Sequence, residues 1–224
     1  IALSEQMRLH VCTFDETHVA RSFSETIREL AISNGLPLMS WAHFKKDPVE
    51  VLRSEQIEGI LCIGWRYLIP SCVLKQLGDN VVVAHDSLLP KYRGFAPLST
   101  ALIMGEKQVG VTFLRAADGI DEGDVLWQQA IDVEPRDAIG DLIRRLAPLY
   151  RVGTEKFLRG ELREGRCQDH VEATYSIWRD ETDYWIDWSQ DSETIERTVR
   201  ALGDPYLGAR CRFQFVQGDH GAGT

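Results

Sequence analysis

The sequence predicts an α/β fold, an open and mostly parallel sheet with helices on both faces. Three observations carry that expectation. Segments of strand and helix character alternate along about two thirds of the chain, the pattern of a doubly wound sheet. Two uninterrupted apolar runs, Ile60-Leu61-Cys62-Ile63 and Val81-Val82-Val83-Ala84, have the character of strands buried on both faces. The composition, 44% hydrophobic and 26% charged over 224 residues, is that of a globular chain long enough to bury a core without staples.

The elements follow in order. Residues 8–14 read as a short apolar strand. Ser22-Phe23-Ser24-Glu25 has capping-box spacing, and Ile27, Leu30 and Ala31 continue it as a helical stripe that stops at Asn34-Gly35. Asp47-Pro48 supplies an N-cap and a proline at the first helical position, opening a second short helix. The run 60–63 is a buried strand, residues 70–77 a helix, and 81–84 a second buried strand. Residues 97–104 are helical, 109–114 alternate like a strand, and 125–133 form a further strand. A long helix occupies 138–158, with Pro148 expected to kink it. After Gly160 the character changes: 175–188 is rich in aromatic and acidic residues, and 192–202 is an amphipathic helix with Ile195, Val199 and Leu202 on one face. The organisation expected is a main domain over 1–160, an extension over 161–216, and a glycine-rich, disordered tail over 217–224.

Charge and cysteine usage narrow the function classes. Lys and Arg number 25 against 34 Asp and Glu, a net charge of −9, the wrong sign for a protein that lives on phosphate backbones. No apolar run approaches the roughly 20 residues of a transmembrane helix. The five cysteines (Cys12, Cys62, Cys72, Cys167, Cys211) are odd in number, widely spaced and without a Cys-x-x-Cys pair, which points to a reducing, cytoplasmic compartment and to no metal site. Cys12 and Cys62 lie in apolar runs and are expected to pack as small hydrophobes. There is no signal-peptide pattern, and Ile1-Ala2-Leu3-Ser4 is not a translation start, so further residues are expected upstream.

Two stretches could carry chemistry. The strand 81–84 ends abruptly in His85-Asp86-Ser87 and a loop holding Pro90, Lys91, Arg93 and Gly94. Ligands of open α/β sheets bind outside the carboxyl ends of strands, where a histidine is suited to proton transfer. His85 is equally readable as a local strand cap. The second stretch, Asp118-Gly119-Ile120-Asp121-Glu122-Gly123-Asp124, could bring a backbone close to a ligand and an aspartate to a histidine. Composition alone favours an ordinary solvated turn there, and the spacing does not match a calcium loop.

Together these stretches resemble a known family. Ser87-Leu88-Leu89-Pro90-Lys91-Tyr92-Arg93-Gly94 is similar to the signature of the folate-dependent formyltransferases, which include methionyl-tRNA, glycinamide ribonucleotide and sugar N-formyltransferases. The resemblance continues through Gly110-Val111-Thr112, residues 118–126, Tyr184-Trp185-Ile186-Asp187-Trp188-Ser189 and Pro205-Tyr206-Leu207-Gly208-Ala209. It implies a Rossmann-like sheet of the formyltransferase type. It also implies that residues 8–14 are the family's second strand, so that its central first strand is lacking.

By this resemblance the catalytic histidine falls on His85 and the catalytic aspartate on Asp121. The donor 10-formyltetrahydrofolate would be held by Trp65, Arg66, Tyr67, Leu68 and Ile69 and by Ala117, Asp118, Gly119 and Ile120. Lys91, Arg93 and Gly94 are expected to meet the substrate. The family pattern ahead of the histidine is Asn-x-His, and position 83 holds Val. Residues i and i+2 of a strand share a face, so Val83 occupies the place of an oxyanion-binding amide. The acceptor expected is a small-molecule amine, an amino sugar linked to a nucleotide, with nucleic acid and membrane set aside and a homodimer allowed. The alternatives are a non-catalytic binding protein, a formyltetrahydrofolate hydrolase and a methionyl-tRNA formyltransferase.

Overall fold

The computed structural model describes residues 7–14 and 23–213; the expected cap at Ser22 and the tail beyond 213 lie outside them. The strands are β1 (Val11–Thr13), β2 (Leu38–Ser40), β3 (Ile60–Ile63), β4 (Val81–His85), β5 (Arg93–Gly94), β6 (Gln108–Arg115), β7 (Val125–Asp132) and β8 (Tyr175–Ser176). The helices are α1 (Ser24–Ser33), α2 (Trp41–Phe44), α3 (Pro48–Ser54), α4 (Ser71–Leu77), α5 (Pro97–Ile103), α6 (Ile139–Leu158) and α7 (Ser192–Ala201).

The main sheet has the order β3-β4-β6-β7. Strands β3 and β4 are parallel, whereas β4 with β6 and β6 with β7 are antiparallel. The pairs β1–β2 and β5–β8, each a separate small sheet, are also parallel, so three of the five pairings among the described residues are parallel and the architecture is mixed. No ladder joins β1 to β3 among the described residues. The two sheets meet instead through aromatic rings, with Phe14 4.8 Å and Trp41 4.7 Å from Trp65 between ring centroids.

Burial follows the alternation of β4. Val82 and Ala84 face Leu98, Leu102, Phe113, Leu142 and Leu146 in the main core. Val81 packs on Val51, Leu52 and Val73 from α3 and α4, while Val83 faces Leu89, Leu114 and Val125. Each fully buried aliphatic side chain contributes about 1.5–3 kcal/mol. Helix α6 lies hard on the sheet: a Cβ on Gly153 would stand 2.2 Å from the Phe113 ring, so this position accepts the helix cost of glycine, about 0.5–1 kcal/mol.

Most expected elements form where the sequence places them. Asp47 caps α3 by accepting from the Glu50 N–H at 3.1 Å. Helix α6 runs unbroken through Pro148. In α7, Val199 is exposed and Ala201 and Leu202 take the buried side, because the helix docks on α5 through Ser99 Oγ to the Ala201 carbonyl (3.3 Å) and Arg197 Nε to the Ile103 carbonyl (2.9 Å). Cys62 is buried as expected, but Cys12 is exposed, lying opposite the buried Thr13 on β1. Among the described residues no helix is long and apolar enough to cross a membrane.

Candidate active site

Strand β4 is held on both sides, with Val83 opposite Cys62 of β3 and Leu114 of β6, and His85 opposite Thr112. Its last residue is therefore fixed in space. The His85 side chain is 8% exposed, its Nδ1 3.5 Å from Asp121 Oδ2, and the Asp121 side chain is 17% exposed. His85 Nε2 lies 2.8 Å from the Tyr92 carbonyl. A carbonyl can only accept, so Nε2 carries a proton and Nδ1 is the atom turned to the carboxylate. At this low exposure the attraction across the pair is stronger than in water.

The loop after β4 is pinned by a small polar network. Thr112 Oγ1 donates to the Ser87 carbonyl (2.6 Å) and accepts from Gln128 Nε2 (2.8 Å), which also donates to the Leu89 carbonyl (3.0 Å). Ser87 Oγ donates to the Lys91 carbonyl (2.7 Å). The Leu89–Pro90 bond is cis. The Tyr92 hydroxyl donates to Glu106 (2.7 Å); burial and the Glu106 carboxylate raise the phenol well above its ordinary range. The Tyr92 hydroxyl, and after it Lys91, hold Glu106 below the usual carboxylate range.

Gly94 then does what only glycine can. Its φ is +97°, a Cβ there would stand 2.5 Å from the Ser176 carbonyl oxygen, and its N–H donates to Asp121 Oδ2 at 2.8 Å. The loop of Asp121 is fastened from outside: Gln168 Nε2 donates to the Asp121 and Gly123 carbonyls at 2.8 and 2.7 Å.

The expectation that Arg93 meets the substrate gives way to a structural role. Arg93 is 1% exposed, and its Nε and Nη2 donate to Gln168 Oε1 at 3.2 and 2.8 Å. The guanidinium is spent tying the histidine loop, through Gln168, to the aspartate loop. Lys91 stands at the surface, paired with Glu106 at 3.0 Å. Gly94 touches the site through its backbone.

The two expected donor loops come together. Ser71, at the start of α4 just after residues 65–69, donates to Asp118 Oδ1 at 3.0 Å. Tyr67, Leu68 and Ile120 are exposed apolar side chains of these loops, suited to a flat heteroaromatic ligand. Trp65 and Ile69 pack inward, Trp65 between Phe14, Trp41 and Tyr67. Trp65 Nε1 is buried without a partner, a donor left for a ligand or water. In the 184–188 stretch, Trp185, Ile186 and Trp188 line an open cavity of about 310 Å³ together with Arg212.

No motif marks Gln168 or Gln128, and the aromatic-rich character of 175–188 does not tie Trp178 to Phe95, whose ring lies 5.4 Å away between centroids. Asp86, next to the histidine, has a sealed and unpartnered Oδ1. Burial raises its carboxyl above the usual range, with His85 opposing. Val83 offers no polar atom to the site. No group of three His, Cys, Asp or Glu that could hold a metal occurs among the described residues.

The chain is similar to known proteins. The family model described as "Formyl transferase" covers residues 14–152, and "Formyl transferase, C-terminal domain" covers 179–219. The methionyl-tRNA formyltransferase of Desulfotalea psychrophila is 32% identical over 200 residues, 87% of this chain and 60% of that protein. The chain spans about 60% of the length of the curated relatives it matches. Among solved structures, a methionyl-tRNA formyltransferase from Clostridium thermocellum superposes with a TM-score of 0.67 at 20% identity, over 91% of this chain and 87% of that one. WlaRD, a sugar 3N-formyl transferase crystallised with dTDP and 5-N-formyl-THF, gives 0.62 at 18% identity, over 85% and 67%.

Proposed function

The chain belongs to the formyl transferase family, and on that premise we propose that it moves a formyl group from 10-formyltetrahydrofolate to the amine of a nucleotide-linked amino sugar. The observation that carries the chemistry is the buried pair of His85 and Asp121 at 3.5 Å, beside two loops joined by Ser71 and Asp118. Tyr67, Leu68 and Ile120 hold the donor's ring system, and the donor supplies an activated formyl group. As an amine attacks the formyl carbon, negative charge grows on its oxygen. His85, whose Nε2–H is already given to the Tyr92 carbonyl, meets that charge as an imidazolium, an arrangement worth most in a site closed to water. Asp121, oriented by the Gly94 N–H, balances the imidazolium and would provide a route for the proton that passes from the amine to the tetrahydrofolate nitrogen released as its bond to the formyl carbon breaks.

The acceptor follows from charge and from the structural neighbours. A net charge of −9 gives phosphate backbones little to bind, and WlaRD, of the same fold, is a sugar enzyme. A specific observation supports a second reading, a methionyl-tRNA acceptor: the curated relatives, at up to 33% identity, are methionyl-tRNA formyltransferases. Transfer of labelled formyl from 10-formyltetrahydrofolate to UDP- and dTDP-linked amino sugars, set against methionyl-tRNA, decides between them. Labelled sugar supports the proposal, labelled tRNA replaces it, and release of formate alone makes the protein a hydrolase.

A further inference from the structure

Three separate stretches meet at one exposed indole. Trp178 follows β8 by two residues and is 49% exposed. Its ring lies 5.4 Å from Phe95, edge to face at 81°, and the Arg66 guanidinium carbon sits 5.1 Å above it. Arg66 belongs to the donor loop 65–69. Phe95 follows Gly94, whose N–H holds Asp121, and its own N–H donates to the Ser176 carbonyl at 3.0 Å. The parallel pairing of Gly94 with Ser176 therefore seats Trp178 against the catalytic loop and the donor loop together.

We propose that Trp178, with Phe95 and Arg66, is the seat for the nucleobase of the acceptor; this rests on the reading that the acceptor is nucleotide-linked. The indole carries a guanidinium over its ring and remains 49% exposed, leaving aromatic surface for a flat ring. Stacking of a base on an aromatic side chain tolerates any base, since each has a π-face. A permanent cation beside the ring suits the diphosphate that accompanies such a base, and it does so locally in a chain whose net charge is −9. The Phe95 contact, at 81° between ring planes, fixes the indole plane, so little side-chain freedom is lost on binding.

The test is calorimetric titration of UDP into the protein and into Trp178→Leu and Trp178→Tyr, with 5-formyltetrahydrofolate titrated into all three as a control of the donor site. Wild type binds UDP, Trp178→Leu binds it about ten-fold or more weakly, and Trp178→Tyr stays within about three-fold, as stacking requires. The donor analogue binds all three alike. Equal UDP affinity in Trp178→Leu overturns the proposal, as does no UDP binding to wild type, or equal damage from Tyr and Leu. Should Trp178→Leu fail to fold, Phe95→Leu carries the same expectation. Failure of formyl transfer to every nucleotide-linked amine, with UDP affinity still tracking position 178, would remove the function and leave the seat. Transfer with a KM indifferent to Trp178→Leu would remove the seat and leave the function.

Discussion

Val83→Asn restores the amide that the formyltransferase pattern places two residues before the histidine, and its outcome separates two kinds of site. In this fold Val83 packs against Leu89, Leu114 and Val125, which are 2%, 1% and 6% exposed. An asparagine there forfeits about 1 kcal/mol of partial apolar burial. It also leaves an amide without partners, at about 1–3 kcal/mol. The sum, about 2–4 kcal/mol, lowers the melting temperature by roughly 5–15 °C for a chain of this size. Thermal melts followed by circular dichroism measure that loss, and initial rates of formyl transfer measure the chemistry. The account expects a lower melting temperature with no gain in rate, because the pocket is built for a branched apolar side chain and the oxyanion is served from His85. An unchanged melting temperature with a rate raised by about ten-fold or more would refute it, making Val83 a lesion in a silent enzyme.

Asp121→Asn keeps an oxygen for the Gly94 N–H but removes the charge facing His85, so the fold persists while turnover falls by about 10²-fold or more. Full activity in Asp121→Asn with loss in Asp124→Asn, whose native carboxylate pairs with Arg115 at 3.1 Å, would overturn that assignment. Asp86→Asn removes a carboxyl that burial raises. The folded state of the wild type binds this proton more tightly than the unfolded chain, so stability is lost as pH rises above the ordinary carboxylate range of about 4. The variant should melt higher than wild type at pH 7 and lack that slope; a lower melting temperature at pH 7 contradicts the reasoning. Binding to tRNA should be weak and shallow in salt, since the slope of log K against log salt counts neutralised phosphates; a nanomolar complex at physiological salt would restore the tRNA reading.

The parts legible in the sequence are those whose signal is local. The apolar run of β4 ends at His85-Asp86-Ser87, which puts His85 at a strand end. Asp47-Pro48 announced α3. Strands β2, β5 and β8, of 3, 2 and 2 residues, are too short to show a period. The pairing of β5 with β8 joins Arg93 to Tyr175, far apart in sequence, so Trp178 could not be tied to the site by pattern. The resemblance puts Arg93 at the substrate, and nothing local in the sequence marks it for burial. Its burial depends on Gln168, a residue with no motif around it. Val199 read as core because helical periodicity gives a face but not the width of the contact that α5 makes with it.

The account stands most directly on His85. Single-turnover formyl transfer by His85→Ala, with donor affinity measured alongside by titration of 5-formyltetrahydrofolate, isolates its contribution to the transition state from its contribution to binding. Transfer abolished, with donor affinity within about three-fold of wild type, is the result expected of a side chain that meets charge only as it develops. Wild-type turnover in His85→Ala would contradict the mechanism.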